Sequence, residues 1–208
     1  MTKNKKKILS VITLNVKDLS DQNKRHSILL SLWLHLADII LLQETNIIPL
    51  QILFIQSQWL LPSFWNYYIA ILINNKNINT NDVQTLFENR HQVLELSLNG
   101  NLYRINNIYT PSRHSERLAF WNRISVSSRQ ECINLIGGDF NCVLYPNRDR
   151  ESSTLYHTDP SSTQVFKKLT DFIDCYPSTS INPLFIFFMN TQSGPLLFQL
   201  DYIFIDSS

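Results

Sequence analysis

The chain has little glycine, little cysteine and almost no net charge. Four glycines in 208 residues are few for a globular protein, yet a composition of 44% hydrophobic and 12% aromatic residues excludes a disordered chain except at the ends. Three cysteines, Cys132, Cys142 and Cys175, form no CxxC pair and cannot all pair with one another, which argues against a disulfide framework and a zinc site. An intracellular, reducing compartment, the nucleus included, is the expectation. A formal charge of +1 creates no global field that would draw in a polyanion, so a nucleic-acid partner has to be argued from a site. The run after Lys3-Asn4-Lys5-Lys6-Lys7 is broken by Ser10, Thr13 and Asn15, too short and too polar for a signal or membrane segment. Residues 1–7 read as a basic, flexible, solvated tail, with nuclear import or phosphate contact as alternative roles for the lysines.

What is present fits one α/β domain, long enough to bury about 70% of its unfolded surface. Ile8 to Val16 reads as a buried strand whose carboxyl end carries Asn15. Ile28, Leu29, Leu32 and Leu36 then recur at helical spacing behind Ser20 or Asp21 as N-cap. Asp38 to Leu42 returns as a strand, and such a crossover delivers Gln43 and Glu44 to the same edge as Asn15. Tyr68 to Ile73 is a further strand, and the polar stretch Asn74 to Asn81 reads as a flexible loop. Leu94, Leu96 and Leu98 alternate with polar residues, Asn99-Gly100 predicts a type I′ turn, and Leu102 to Tyr109 is the partner strand. Helices are expected over Ser115 to Ile124 and Ser161 to Cys175, the second with Val165, Leu169, Phe172 and Ile173 on its apolar face. Strands are expected over Ile133 to Ile136, ending at a Gly137-Gly138 turn, and over Leu184 to Phe188 and Leu197 to Ile205.

Isolated polar groups repeatedly end or interrupt these apolar strands: Asn15, Glu44, Tyr109, Asp139 with Asn141, and Asp201. Ligands in α/β folds sit at strand ends. Each residue also has a plainer reading. Glu44 alone is a solvated strand-end charge, although its oxygens suit magnesium. Tyr109 alone is a rim tyrosine packed on the core, and Gly137-Gly138-Asp139-Phe140-Asn141 alone is a structural turn. Asp201 differs, because it interrupts the apolar run Phe198 to Ile205 and an unpaired buried carboxylate costs several kcal/mol.

The order of the segments decides between these readings. Ile12-Thr13-Leu14-Asn15-Val16, Leu41-Leu42-Gln43-Glu44-Thr45, Asn107-Ile108-Tyr109-Thr110-Pro111 with Arg117 and Phe120, Gly137-Gly138-Asp139-Phe140-Asn141 with Arg148, and Leu200-Asp201-Tyr202-Ile203 follow one another along most of the chain. The series resembles the endonuclease/exonuclease/phosphatase superfamily, especially the apurinic-endonuclease-like domains of LINE-type retrotransposons. The resemblance implies a four-layer α/β sandwich, two packed β-sheets flanked by helices. It implies that Asn15 and Glu44 help hold a divalent metal, Mg²⁺ or Mn²⁺, against a scissile phosphate. It also implies that Asp139 and Asn141 orient or deprotonate the attacking water, that Tyr109 contacts phosphate and Arg148 phosphate or another part of the substrate, and that nucleic acid, DNA before RNA, is the partner, with no membrane involved.

Asp201 resembles the aspartate that holds a catalytic histidine in its working orientation. The resemblance places that histidine downstream, in a Ser-Asp-His-type segment, whereas these residues end at Asp206-Ser207-Ser208. A C-terminally truncated domain is therefore expected. None of His26, His35, His91, His114 and His157 falls in that motif, and each is read as a surface or satisfied histidine. Asp18 stands where the family usually has glycine, Ile186 where threonine is common, and Gln199 where arginine precedes Leu-Asp-Tyr. Loss of a general acid/base costs about 10²- to 10⁴-fold in rate, so little or no activity is expected of residues 1–208 alone. Two other readings stand beside an ancestral DNA-nicking enzyme: a noncatalytic binding domain, and a phosphodiesterase acting on a phospholipid or an RNA tail.

Overall fold

The computed structural model describes residues 9–126, 129–145, 150–151, 160–169, 171–175, 187–191, 194–198 and 201–206. The tail 1–7, Arg148, His157, Ile186 and Gln199 lie outside them.

The N-terminal half follows the crossover read from the sequence. Strand β1 (Val11–Asn15), helix α1 (Gln22–Leu34) and strand β2 (Ile39–Gln43) form a unit in which β1 and β2 are parallel and Asn15 lies opposite Gln43. Asp21 caps α1 by accepting from the Lys24 N–H at 2.7 Å. Leu29 and Leu32 are buried as the helical spacing requires, whereas Leu36 lies past the helix end and is 95% exposed. Helix α2 (Pro49–Gln58) and the short strand β3 (Ser63–Trp65) are not anticipated by the sequence reading; Pro49 in the first turn is the residue that marks the start of α2. Strand β4 (Ile69–Ile73) runs antiparallel to β2 and completes a sheet in the order β1-β2-β4-β3.

The polar stretch after β4 is not simply a loop. Asn75 is buried and donates to Asp38 at 2.7 Å, while Asp38 accepts from the Ser10 N–H and hydroxyl. Strand β5 (Asn79–Leu86) begins within the stretch and pairs with β6 (His91–Leu98). An edge strand needs one row of backbone hydrogen bonds and can leave polar side chains in solvent. The hairpin from β6 to β7 (Asn101–Tyr109) is as expected, with Asn99 and Gly100 both at positive φ, 53° and 80°. Helix α3 (His114–Arg123) follows, then β8 (Ile133–Asp139), parallel to β7.

Gly137 and Gly138 lie inside β8 instead of forming a turn after it. A Cβ on Gly138, which has φ +144°, would come within 1.8 Å of the Ile108 carbonyl oxygen on β7. The glycine is required by the closeness of a neighbouring backbone.

The expected C-terminal helix is shorter than its apolar pattern. Helix α4 (Pro160–Lys168) buries Val165, but Phe172–Asp174 is strand β10, with Ile173 57% exposed. Residues 172–174 pair antiparallel with β13 (Asp201–Asp206), and that tertiary ladder prevails over local periodicity. The run Leu197 to Ile205 is likewise divided. Strand β12 (Gly194–Phe198) pairs with β9 (Arg150–Glu151) and β11 (Phe187–Thr191), whereas β13 joins the second large sheet, ordered β10-β13-β8-β7-β6-β5. Asp201 thus opens a strand and does not sit within one.

Strand alternation sorts the core into three layers. Ile39, Leu41, Ile71 and Ile73 of the first sheet meet Leu94, Leu96, Ile105 and Leu135 of the second. Ile40, Leu42, Ala70 and Leu72 point the other way, onto Leu29, Leu32, Ile55 and Trp59. On the far face of the second sheet, Ile108, Ile136, Tyr202 and Phe204 pack with Phe120, Trp121 and Val165. This is the four-layer sandwich of two sheets flanked by helices. Among the described residues, no helix is long and apolar enough to cross a membrane.

Candidate active site

Asn15, Glu44, Tyr109, Asp139, Asn141 and Asp201 all lie at strand termini or just beyond them, along one rim where the two sheets meet. Four of them close a ring. Asn15 donates from Nδ2 to Asp139 Oδ2 at 2.8 Å. Asp139 is the register partner of Tyr109 across the parallel β7–β8 pair. Tyr109 donates its hydroxyl to Glu44 Oε1 at 3.0 Å. Glu44 in turn follows Gln43, the register partner of Asn15. Each hydrogen bond crosses from one sheet to the other, so the fold itself brings residues 15, 44, 109 and 139 together.

Backbone conformation fixes several of these groups. Glu44 has φ 55° and Asn141 φ 47°, left-handed positions that cost about 1 kcal/mol or more for residues other than glycine. The turn at Asn141 lets its N–H donate to Asp139 Oδ1 at 2.8 Å while its Nδ2 donates to the Thr110 carbonyl, also at 2.8 Å. Asn141 therefore holds Asp139 and the end of β7 together. Asp18, at the position where glycine is usual, has φ 76°, and its carboxylate accepts from the N–H and hydroxyl of Ser20. Aspartate is among the few residues that tolerate this conformation.

The site gathers negative charge in a place poor in water. Asp139 and Asp201, 3% and 5% exposed, are register partners on β8 and β13. Burial raises the Asp139 pKa to about 6; the nearby Glu44 adds to this, and the hydrogen bonds from Asn141 and Asn15 oppose it. Burial, then the charges of Asp139 and Glu44, push Asp201 well above the ordinary carboxylate range. Tyr109 is also raised, by burial first and then by Glu44. Glu44 and the Asn15 amide offer hard oxygen donors here, and a divalent cation bound beside the two buried aspartates would favour their ionised forms. Among the described residues, no three His, Cys, Asp or Glu side chains converge into a metal cage of their own. A cation would then take Glu44, the Asn15 amide and water, and magnesium, which keeps several waters, suits so sparse a set.

Two residues are missing from the sequence-derived set. The guanidinium of Arg90 lies 3.9 Å from the ring centre of Tyr68 and 4.7 Å from that of Tyr109, a cation–π stack against the site's tyrosine. Asn107 accepts from Gln43 Nε2 at 2.8 Å and donates to the carbonyls of Leu42 and Ala70, a buried polar clasp between the sheets directly behind the site. Asn107 lies two residues before Tyr109 inside an apolar strand, a readable irregularity; nothing local marks Arg90. Arg117 is buried and donates to the Ser112 carbonyl at 2.6 Å and to Ser161 at 3.2 Å, tying α3 to the loop after Tyr109 and to α4. None of the described histidines stands in the ring; His91, the buried one, is hydrogen-bonded to Asn106 at 3.0 Å.

By sequence the chain matches no family model and no curated protein. Its fold is shared by several solved structures. D. rerio TDP2 complexed with a single-strand DNA product aligns over 96% of this chain and 84% of that one, with 16% identity and a TM-score of 0.67. The AP endonuclease from Archaeoglobus fulgidus aligns over 96% and 87%, with 15% identity and a TM-score of 0.66. The endonuclease domain of TRAS1, a telomere-specific non-LTR retrotransposon, aligns over 96% and 86%, with 12% identity and a TM-score of 0.62. The chain thus shares the fold of these nuclease structures, the fold that the sequence resemblance implied.

Proposed function

We propose that this domain is a divalent-metal-dependent phosphodiesterase of nucleic acid, of the kind that nicks DNA for retrotransposition. The observation that carries the reading is the ring of Asn15, Glu44, Tyr109 and Asp139 across the two sheets, with Asp201 beside it. The fold shared with an AP endonuclease, a retrotransposon endonuclease domain and a TDP2 bound to DNA supports the same substrate class.

Asn15 and Glu44 would hold Mg²⁺ or Mn²⁺. When bound, the metal supplies charge neutralisation at the phosphate and at the leaving oxygen. Asp139, ionised above about pH 6, would orient a water and accept its proton, with Asn141, whose N–H donates to that carboxylate, helping to set its direction. Tyr109 would turn its hydroxyl from Glu44 to a phosphate oxygen, and Arg148 is a proposed phosphate contact. Asp201 would position the histidine that the resemblance places downstream of β13. Cleavage would leave a 3′-hydroxyl and a 5′-phosphate.

Nicking of supercoiled plasmid with Mg²⁺ or Mn²⁺ tests this, beside Glu44→Ala. The expected result is slow nicking by residues 1–208, abolished by EDTA and by the substitution. One observation favours a noncatalytic binding domain instead: Tyr109 and Asn141 both donate to protein groups. Equal rates for the two proteins would select that reading.

A further inference from the structure

Beside the ring lies a cleft of about 550 Å³ between the β5–β6 turn and helix α3, within the size range of small-ligand sites. Its inner wall is Arg90 on Tyr68, the same guanidinium that stacks on Tyr109. Cleft and candidate active site therefore share a wall. Its outer wall is Phe87, with the Arg123 guanidinium 5.1 Å from the ring centre and Phe120 edge-on at 5.7 Å.

The charges lining the cleft are Arg90 and Arg123 with Glu88 and Glu116, two of each sign. A cradle for phosphate alone would be net positive. What this cleft offers is aromatic and guanidinium planes with carboxylate acceptors, the chemistry that recognises a nucleobase: faces stack on the planes and amino edges donate to carboxylates. The base would have to be unpaired, because a paired one has its faces and its hydrogen-bonding edge already occupied. The turn that presents Phe87 is built at a cost. Phe87, Glu88 and Asn89 all have positive φ, 49°, 52° and 60°, with no glycine among them, closed by the Arg90 N–H on the Phe87 carbonyl at 2.8 Å.

We infer that this cleft binds the base of an unpaired nucleotide next to the cleaved phosphodiester, with Phe87 and Arg123 as the residues that select for it. The inference rests on the nucleic-acid phosphodiesterase reading and assigns that site a single-stranded or locally opened substrate.

Fluorescence anisotropy in EDTA provides the test. The probes are a labelled six-nucleotide single strand of DNA and the same backbone carrying abasic residues throughout. The base-bearing strand is expected to bind about tenfold more tightly, within the range of a stacked base. Arg123→Ala, at an exposed position, and Phe87→Leu, which keeps an apolar contact with Phe120, should each erase that difference while leaving the abasic probe's affinity unchanged. Equal binding of the two probes, or variants that keep the full preference, would overturn the inference and leave the phosphodiesterase reading standing if Glu44-dependent nicking persists. Failure of both probes to bind, together with no nicking, would overturn both.

Discussion

Asp139 and Asp201 face one another across the antiparallel β8–β13 pair, both nearly inaccessible to water. Two carboxylates in register at a strand end repel when ionised, and the repulsion is strong because little solvent screens it. Glu44 adds a third negative charge to both. That concentration of acid sets how the protein should respond to pH, to metal and to substitution.

Stability in metal-free buffer should fall as pH rises through about 6. Asp139 titrates near 6 in the folded chain, above its ordinary value of 3.8. The native state thus binds the proton more tightly than the unfolded state. The resulting stabilisation is complete below pH 4 and is lost on passing pH 6. Urea unfolding at pH 4.5 and pH 8 measures it. Asp139→Asn should flatten the dependence, and a wild-type profile that rises from pH 5 to pH 8 would contradict the assignment.

Mg²⁺ should raise the melting temperature at pH 8, above the Asp139 titration near 6, and do so less at pH 5. Glu44→Ala should remove most of the effect. Differential scanning fluorimetry across a Mg²⁺ titration reads this without any turnover, and equal shifts for the two proteins would place the ion elsewhere.

Tyr109→Phe removes one hydroxyl that donates to a carboxylate. A hydrogen bond to a charged group contributes about 1.5–3 kcal/mol, so a fall in nicking of about 10- to 100-fold is expected, with the far-ultraviolet circular dichroism unchanged. The same rate in both proteins would leave the hydroxyl with no part in cleavage.

Asn107→Ala should destabilise the fold by about 3 kcal/mol, because it strips a hydrogen-bond partner from Gln43 and from the buried carbonyls of Leu42 and Ala70. Gln43→Met combined with Asn107→Ala should cost less than the two separate effects added, since the residues share a bond. Additive losses in urea unfolding would show that the clasp carries no coupling.

Gly138→Ala should be among the most damaging single-methyl changes, by about 3 kcal/mol or more, as the new Cβ would overlap the Ile108 carbonyl of the adjoining strand. Soluble yield and melting temperature check it.

The crossover from β1 to β2, the β6–β7 hairpin and the positions of Asn15, Glu44 and Tyr109 at strand ends were legible in the sequence. Alternation of side chains and turn chemistry act over a few residues and need no partner. The same local signals misplaced others. Periodicity alone continued a helix through Phe172 and Ile173, and it merged β12 with β13, because neither pattern registers which strand edge stands open nearby. Asp18 departed from the usual glycine without loss of the left-handed turn, since its side chain could bond Ser20.

Residue type and order by themselves determined which polar groups reach the rim and in what sequence. Only the tertiary structure decided that Asn15 holds Asp139, that Tyr109 holds Glu44, that Asp201 faces Asp139 and that Arg90 covers the site's tyrosine. Those relationships span 124 and 65 residues of chain in the two hydrogen bonds. They exist because two sheets pack face to face, a choice made by the whole core and written in no single segment.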